Sequence, residues 1–181
     1  LQALLQCKSD VPIETDIREE VFDKVFQCVL NDHPEIFYVD GFTIVSYKED
    51  DVITERRFSG NYLYDSQEII ERRARMEAVV QGILKGVPAD AEEYDKVRYV
   101  YEYLVKHTEY VLDSQDNQNI CSVILNGKSV CQGYAKTAQY LLERLGLNVI
   151  LVSGMVEGGE DHVWNIVQID GAYYHVDVTW D

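Results

Sequence analysis

No apolar run in this chain of 181 residues approaches the roughly 20 needed to cross a bilayer as a helix, so no membrane-spanning helix is read from it. The four cysteines, Cys7, Cys28, Cys121 and Cys131, show no C-x-x-C spacing, so no zinc site is signalled. Four in a chain this size do not make a disulfide framework either. Positive charge is scarce: 16 Lys+Arg stand against 32 Asp+Glu, for a net charge of −16. Such a surface repels phosphate backbones and excludes nucleic acid as a partner. It keeps the protein soluble and suits a basic protein or an amine-bearing substrate. There is no internal repeat and no low-complexity segment. An initiator methionine is also missing. The start at Leu1 reads as cut or processed, which points to a secreted or cell-surface location.

What is present is an ordinary globular composition, 46% hydrophobic and 27% charged, long enough to bury a core without staples. Glu14 to Asp32 reads as an amphipathic helix with Ile17, Val21, Val25 and Val29 at fourfold spacing, ended by Pro34. Phe37 to Tyr47 and Val52 to Tyr64 read as strands. Asp65-Ser66 opens a helix that runs from Gln67 to Leu84 and closes at Gly86. A third helix spans Ala91 to Lys106, with Val97, Val100, Tyr101 and Leu104 on one face. Asp113 to Asn119 is a surface loop whose spacing does not match a calcium loop. No clear linker splits the chain.

Chemistry concentrates after residue 120. Ser129 followed three residues later by Gln132 is a capping-box pattern, so a helix is expected to start at Val130-Cys131 and run to Leu145 before Gly146. Cys131 then sits in a first turn, where unpaired N–H groups and the positive end of the dipole lower a thiol's pKa and can hold an oxyanion. Lys128 adds a nearby positive charge. Ala135 and Ala138 keep the cysteine's face small, as a buried central helix needs. Cys7, Cys28 and Cys121 read as inert core residues.

His162 to Ile169 alternates as a strand, and Asp170-Gly171 is a two-residue hairpin turn. The return strand is Ala172 to Thr179. The turn sets the register: Ile169 faces Ala172, Trp164 faces Asp177 and His162 faces Thr179. His162 and Asp177 become diagonal neighbours on one face, with Cα atoms about 7–8 Å apart, close enough for side chains to meet. That is a base with its orienting acid. His175 shares the face as a competing histidine nearer the sheet middle. Asn165 points to the other face. Trp164, opposite Asp177, can shield the pair from water. His33 and His107 need no special role, and Gly158 to Asp161 is a loop leading to His162.

The run Gly127-Lys128-Ser129-Val130-Cys131-Gln132-Gly133-Tyr134-Ala135 resembles the nucleophile segment of bacterial transglutaminase-like proteins. His162-Val163-Trp164-Asn165 and Tyr174-His175-Val176-Asp177-Val178-Thr179-Trp180-Asp181 resemble that family's histidine and aspartate segments, in the same order. The resemblance covers roughly residues 90 to 181, which implies an N-terminal extension, residues 1–88, and a core of residues 89–181. It implies an α+β, papain-like core in which a nucleophile helix packs on an antiparallel sheet. It implies Cys131 as nucleophile, His162 as general base and Asp177 as orienting acid. The chemistry implied is acyl transfer through a thioester, on a glutamine side chain or a peptide amide, to an amine or to water. Trp164, Gln132 and Tyr110 are the supporting or substrate-binding candidates, Tyr110 as a second oxyanion donor. No cofactor and no metal are called for. The partner expected is a protein or peptide substrate, and the oligomeric state stays open. The competing reading is a catalytically silent scaffold that binds protein. An amine acetyltransferase would need a coenzyme A pocket, which the sequence does not signal.

Overall fold

The computed structural model describes residues 1–15 and 18–180. They form two compact units, Leu1–Glu71 and Arg72–Asp181, the division falling inside one helix. Each unit is built around its own antiparallel sheet.

In the first unit, helix α1 (Gln2–Leu5) and the short strand β1 (Val11–Pro12) precede helix α2 (Glu19–Asp32) and a long hairpin, β2 (Val39–Glu49) with β3 (Val52–Tyr62). Asp50 and Asp51 both take positive φ, the backbone that a two-residue hairpin turn requires. The sheet order is β1-β3-β2. The buried row of α2 is not the fourfold valine row. Val25 is 45% exposed, whereas Phe26 and Leu30 are buried. Two ring contacts decide this: Phe26 packs on Phe42 of β2 at 4.8 Å between centroids, and Phe42 stacks on Phe58 of β3 at 5.9 Å. A phenylalanine buries more apolar area than a valine, so the helix turns its Phe row inward. Ile17, the first member of the expected row, lies outside the described residues. Cys28, expected in the core, is exposed on the same helix.

Helix α3 (Ser66–Leu84) starts where Asp65 Oδ1 accepts the N–H of Glu68 at 2.8 Å, an aspartate cap. In the second unit α4 (Glu93–His107) buries Val97, Val100 and Leu104 on one face, as the spacing predicts. A parallel pair follows, β4 (Glu109–Tyr110) with β5 (Lys128–Ser129), joined through the loop and a single π-helical turn at Ser122–Asn126. Helix α5 (Cys131–Arg144) then runs through the middle of the unit, buried from Gly133 to Gln139. It packs on α4 and on the sheet β6 (Val149–Met155), β7 (Asp161–Ile169), β8 (Ala172–Val176), whose order is β6-β7-β8, all antiparallel. The α+β expectation, with the cysteine helix laid on an antiparallel sheet, is met.

Asp113 to Asn119 has a packing role: Asp116 takes positive φ, and its carboxylate meets Arg72 at 3.1 Å. Cys121 is fully buried against Met76, sulfur to sulfur 3.4 Å, and burial pushes its thiol pKa up to about 12. Of the three cysteines expected to be inert, this one is in the core; Cys7 is half-buried. Among the described residues no helix is long and apolar enough to cross a membrane.

Candidate active site

Cys131 is the first residue of α5, but its helix is not capped as the sequence suggests. The N-cap is Val130, in extended backbone, with no side-chain cap bond. Ser129 is committed elsewhere. It lies in β5, fully buried, and its hydroxyl donates to the Asn117 carbonyl at 2.8 Å and pairs with the Ser122 hydroxyl at 2.7 Å. Its hydroxyl lies against the first turn of α5 but is spent on these two partners, so the capping box does not form. The first α-type bond of this helix runs from Tyr134 N–H to the Val130 carbonyl at 3.2 Å. The N–H groups of Cys131, Gln132 and Gly133 therefore have no partner within the helix. Donors and the positive dipole end gather beside the thiol. Gly133 is required for this approach, because a Cβ there would sit 1.9 Å from Ser129 Oγ. Gln132 is half-buried in the same turn. The Lys128 ammonium, expected near the thiol, lies 4.0 Å from the Glu109 carboxylate.

Tyr110 is brought to the same place. Its Cα pairs with Ser129 across β4 and β5, and its ring stacks on Tyr134, one turn into α5, at 6.3 Å. The phenol is held above its ordinary pKa, first by burial, then by the adjoining Cys131 thiol; a bond with the Cys131 backbone N–H pulls the other way, and Glu160 adds a smaller push upward. Tyr110 thus adjoins the Cys131 side chain at the start of α5.

The turn at Asp170-Gly171 has positive φ at both residues, 50° and 79°, and the register from Ile169↔Ala172 to Asn165↔Val176 follows the expectation. The return strand is shorter than expected. It ends at Val176 because Asp177 Oδ1 accepts the Thr179 N–H at 3.1 Å and its hydroxyl at 2.7 Å, a local turn that competes with the ladder. The expected facing pairs Trp164–Asp177 and His162–Thr179 are accordingly not ladder pairs. The released segment nevertheless folds Asp177 onto His162, with Oδ2 2.6 Å from Nε2. His162 is 6% exposed.

Three further groups surround this histidine. Trp164 stacks on its ring at 5.9 Å and donates its indole N–H to His175 Nδ1 at 2.8 Å. Trp180 meets the ring edge-on at 5.5 Å, with its indole nitrogen 2.8 Å from Nε2. Thr179 Oγ1 lies 3.4 Å from the same nitrogen. Sequence reasoning gave Thr179 and Trp180 no role. The signal available was their place two and three residues after Asp177. His175 is exposed on an edge strand rather than packed at mid-sheet. His107 stacks on Tyr103, and His33 pairs with Glu35.

The helix and the strand are tied directly. Asn165, fully buried, donates from Nδ2 to the Ala135 carbonyl at 3.1 Å. Ala135 is one turn beyond Cys131, and Asn165 is three residues beyond His162, so this bond joins the two elements that carry them. Among the described residues no hydrogen bond links the thiol to His162, and no His/Cys/Asp/Glu cluster could hold a metal ion. The three polar contacts of the His162 ring are all at Nε2, which leaves Nδ1 as the nitrogen available to a thiol. Chemically, the arrangement can hold a nucleophile beside backbone donors and a base oriented by a carboxylate.

Residues 77–178 match the family described as the Transglutaminase-like superfamily. Two curated relatives are similar in sequence. The kyphoscoliosis peptidase of Homo sapiens is 26% identical over 134 residues, 65% of this chain and 20% of that protein. Its Mus musculus counterpart is 26% identical over 124 residues, 60% of this chain and 18% of that one. The chain thus spans about a fifth of the curated relatives it matches. Among solved structures, a TGase aligns at TM-score 0.52 and 15% identity over 93% of this chain and 49% of its own. A candidate cysteine protease from Cytophaga hutchinsonii aligns at TM-score 0.51 and 14% identity over 77% of this chain and 62% of its own. At these identities the likeness is one of fold.

Proposed function

The chain belongs to the transglutaminase-like superfamily, and from that premise we propose that it transfers an acyl group from a protein or peptide amide through a thioester on Cys131. The observation that carries the reading is the 2.6 Å bond between His162 and Asp177, on a strand tied to the helix that Cys131 begins.

The steps follow from the groups present. Asp177 accepts the Nε2–H of His162, so Nδ1 carries the lone pair and takes the thiol proton. The thiolate adds to the amide carbonyl. The oxyanion is met by the Cys131 N–H and the Tyr110 hydroxyl, donors whose partial charges match the charge that develops. His162 returns its proton to the leaving nitrogen, and ammonia or an amine departs. The thioester then passes its acyl group to an amine or to water, which decides between a transglutaminase and a peptidase. The net charge of −16 suits a cationic protein or an amine as partner.

The test is iodoacetamide labelling with each cysteine located by mass spectrometry, together with a glutamine peptide and a labelled amine. Rapid, Cys131-specific labelling with amine incorporation or peptide cleavage supports the reading. A Cys131 no faster than a free thiol, with neither product, overturns it. A second reading, a silent scaffold that binds protein, is favoured by one observation: no hydrogen bond joins the thiol to His162 among the described residues.

A further inference from the structure

Three side chains crowd one nitrogen. His162 Nε2 has Asp177 Oδ2 at 2.6 Å, Trp180 Nε1 at 2.8 Å and Thr179 Oγ1 at 3.4 Å. A carboxylate only accepts and an indole N–H only donates. The Thr179 hydroxyl is already given to Asp177 Oδ1 at 2.7 Å. An imidazole nitrogen has one in-plane position, holding either a proton or a lone pair. It cannot satisfy Asp177 and Trp180 together.

We propose that Trp180 is a positioning residue that acts as a brake on the base, its indole N–H favouring the tautomer of His162 that cannot take the thiol proton. The inference rests on the reading of Cys131, His162 and Asp177 given above. With the proton on Nε2, Asp177 is satisfied, Nδ1 is free to act, and the indole N–H faces another N–H. With the lone pair on Nε2, Trp180 is satisfied, the proton sits on Nδ1, and the ring is closed to the thiol. The imidazolium formed when Cys131 gives up its proton carries hydrogens on both nitrogens, so it too excludes the Trp180 bond. The indole must therefore leave for the base to work.

Relative strengths set how firm the brake is. The Asp177 bond is charge-assisted and roughly twice as strong as a neutral one, so Trp180 opposes the stronger partner and biases the ring without locking it. Release is cheap, because Trp180 is 66% exposed and water replaces its acceptor. Trp164 has no such effect: its ring lies flat on His162 and its N–H is given to His175.

The test is nitrogen NMR of the full chain labelled in its histidine rings, with His162 assigned by the signal lost in His162→Gln. The expected result is Nδ1–H character in the substrate-free wild type and a shift toward Nε2–H in Trp180→Phe. Trp164→Phe should leave the His162 tautomer as it was. Iodoacetamide labelling of Cys131 at neutral pH should quicken about threefold to tenfold in Trp180→Phe, the scale of one neutral hydrogen bond. A wild-type ring already wholly in the Nε2–H form overturns the proposal, and that reading needs no variant to fold. So does an unchanged tautomer in a folded Trp180→Phe. Turnover at Cys131 without the tautomer shift sinks the brake alone. The tautomer shift without turnover on any amide sinks the acyl-transfer reading and leaves the brake standing.

Discussion

Asp177 Oδ2 lies 2.6 Å from His162 Nε2 although the two residues share no rung of the sheet, since β8 ends at Val176. The same carboxylate makes both facts true. Its Oδ1 holds the Thr179 N–H and hydroxyl and ends the strand, while its Oδ2 holds the histidine.

Replacing that carboxylate separates orientation from reactivity. Asp177→Asn should keep Cys131 in place while its amide, able to donate, favours the wrong tautomer of His162. Turnover is expected to fall by orders of magnitude, about 10⁴-fold in the best-studied serine analogue. Steady-state kinetics and the rate of Cys131 alkylation both check it. A variant within a few-fold of wild type would argue against Asp177 as the orienting acid.

Cys131→Ala should abolish turnover, on the order of 10³-fold or more, without moving the thermal midpoint by more than a degree or two. Mapping alkylation in the wild type should find Cys28, which is exposed, reacting as an ordinary thiol. Cys121 should stay unlabelled until the protein unfolds, since it is fully buried and burial pushes its pKa up to about 12. Early labelling of Cys121 would contradict the packing around Met76.

Gly133→Ala places a Cβ 1.9 Å from Ser129 Oγ and 3.0 Å from the Asn117 carbonyl. Overpacking of this kind costs about 1–3 kcal/mol. The double variant with Ser129→Ala removes the nearer obstacle and should recover part of the loss. Denaturant midpoints of the single and double variants measure it; additive losses would mean the clash is not the cause.

The bidentate pair between Glu77 on α3 and Arg144 on α5, 2.8 Å on each arm, should make stability depend on acid. Hydrogen bonds from Arg144, then from Gln81, hold the Glu77 carboxyl at a pKa of about 2, below its ordinary 4.5. A depressed carboxylate stabilises the fold above its unfolded pKa and loses that contribution as pH falls through the folded one. The deficit of Glu77→Gln should therefore be present at neutral pH and shrink between about pH 4.5 and 2. Both partners are partly exposed, so the effect should be no more than about 1 kcal/mol and fall with salt. Thermal melts across that pH range decide it; a deficit that does not change with pH removes the pair as its cause.

Local rules carried far in this chain wherever one residue type sets the backbone. Asp170-Gly171 needs positive φ twice, and that alone dictated the register of β7 and β8. The apolar spacing of α4 and the small face of α5 likewise appear in the burial of Val97, Val100, Ala135 and Ala138. Three ordered motifs around Cys131, His162 and Asp177 were legible because each is short and contiguous.

What the sequence could not settle were choices between partners of similar strength. Ser129 could cap a helix or bind a distant carbonyl, and the fully buried strand position gave it to Asn117. The valine row and the phenylalanine row of α2 were both amphipathic, and the presence of Phe42 on the facing strand selected Phe26. Asp177 could continue a ladder or turn out of it, and Thr179 supplied the second bond that turned it. Trp180 lies in the segment that carries Asp177, but nothing in that segment says where its indole turns. Its meeting with His162 Nε2 depends on the path of the chain after that turn, a long-range geometry that only the folded protein determines.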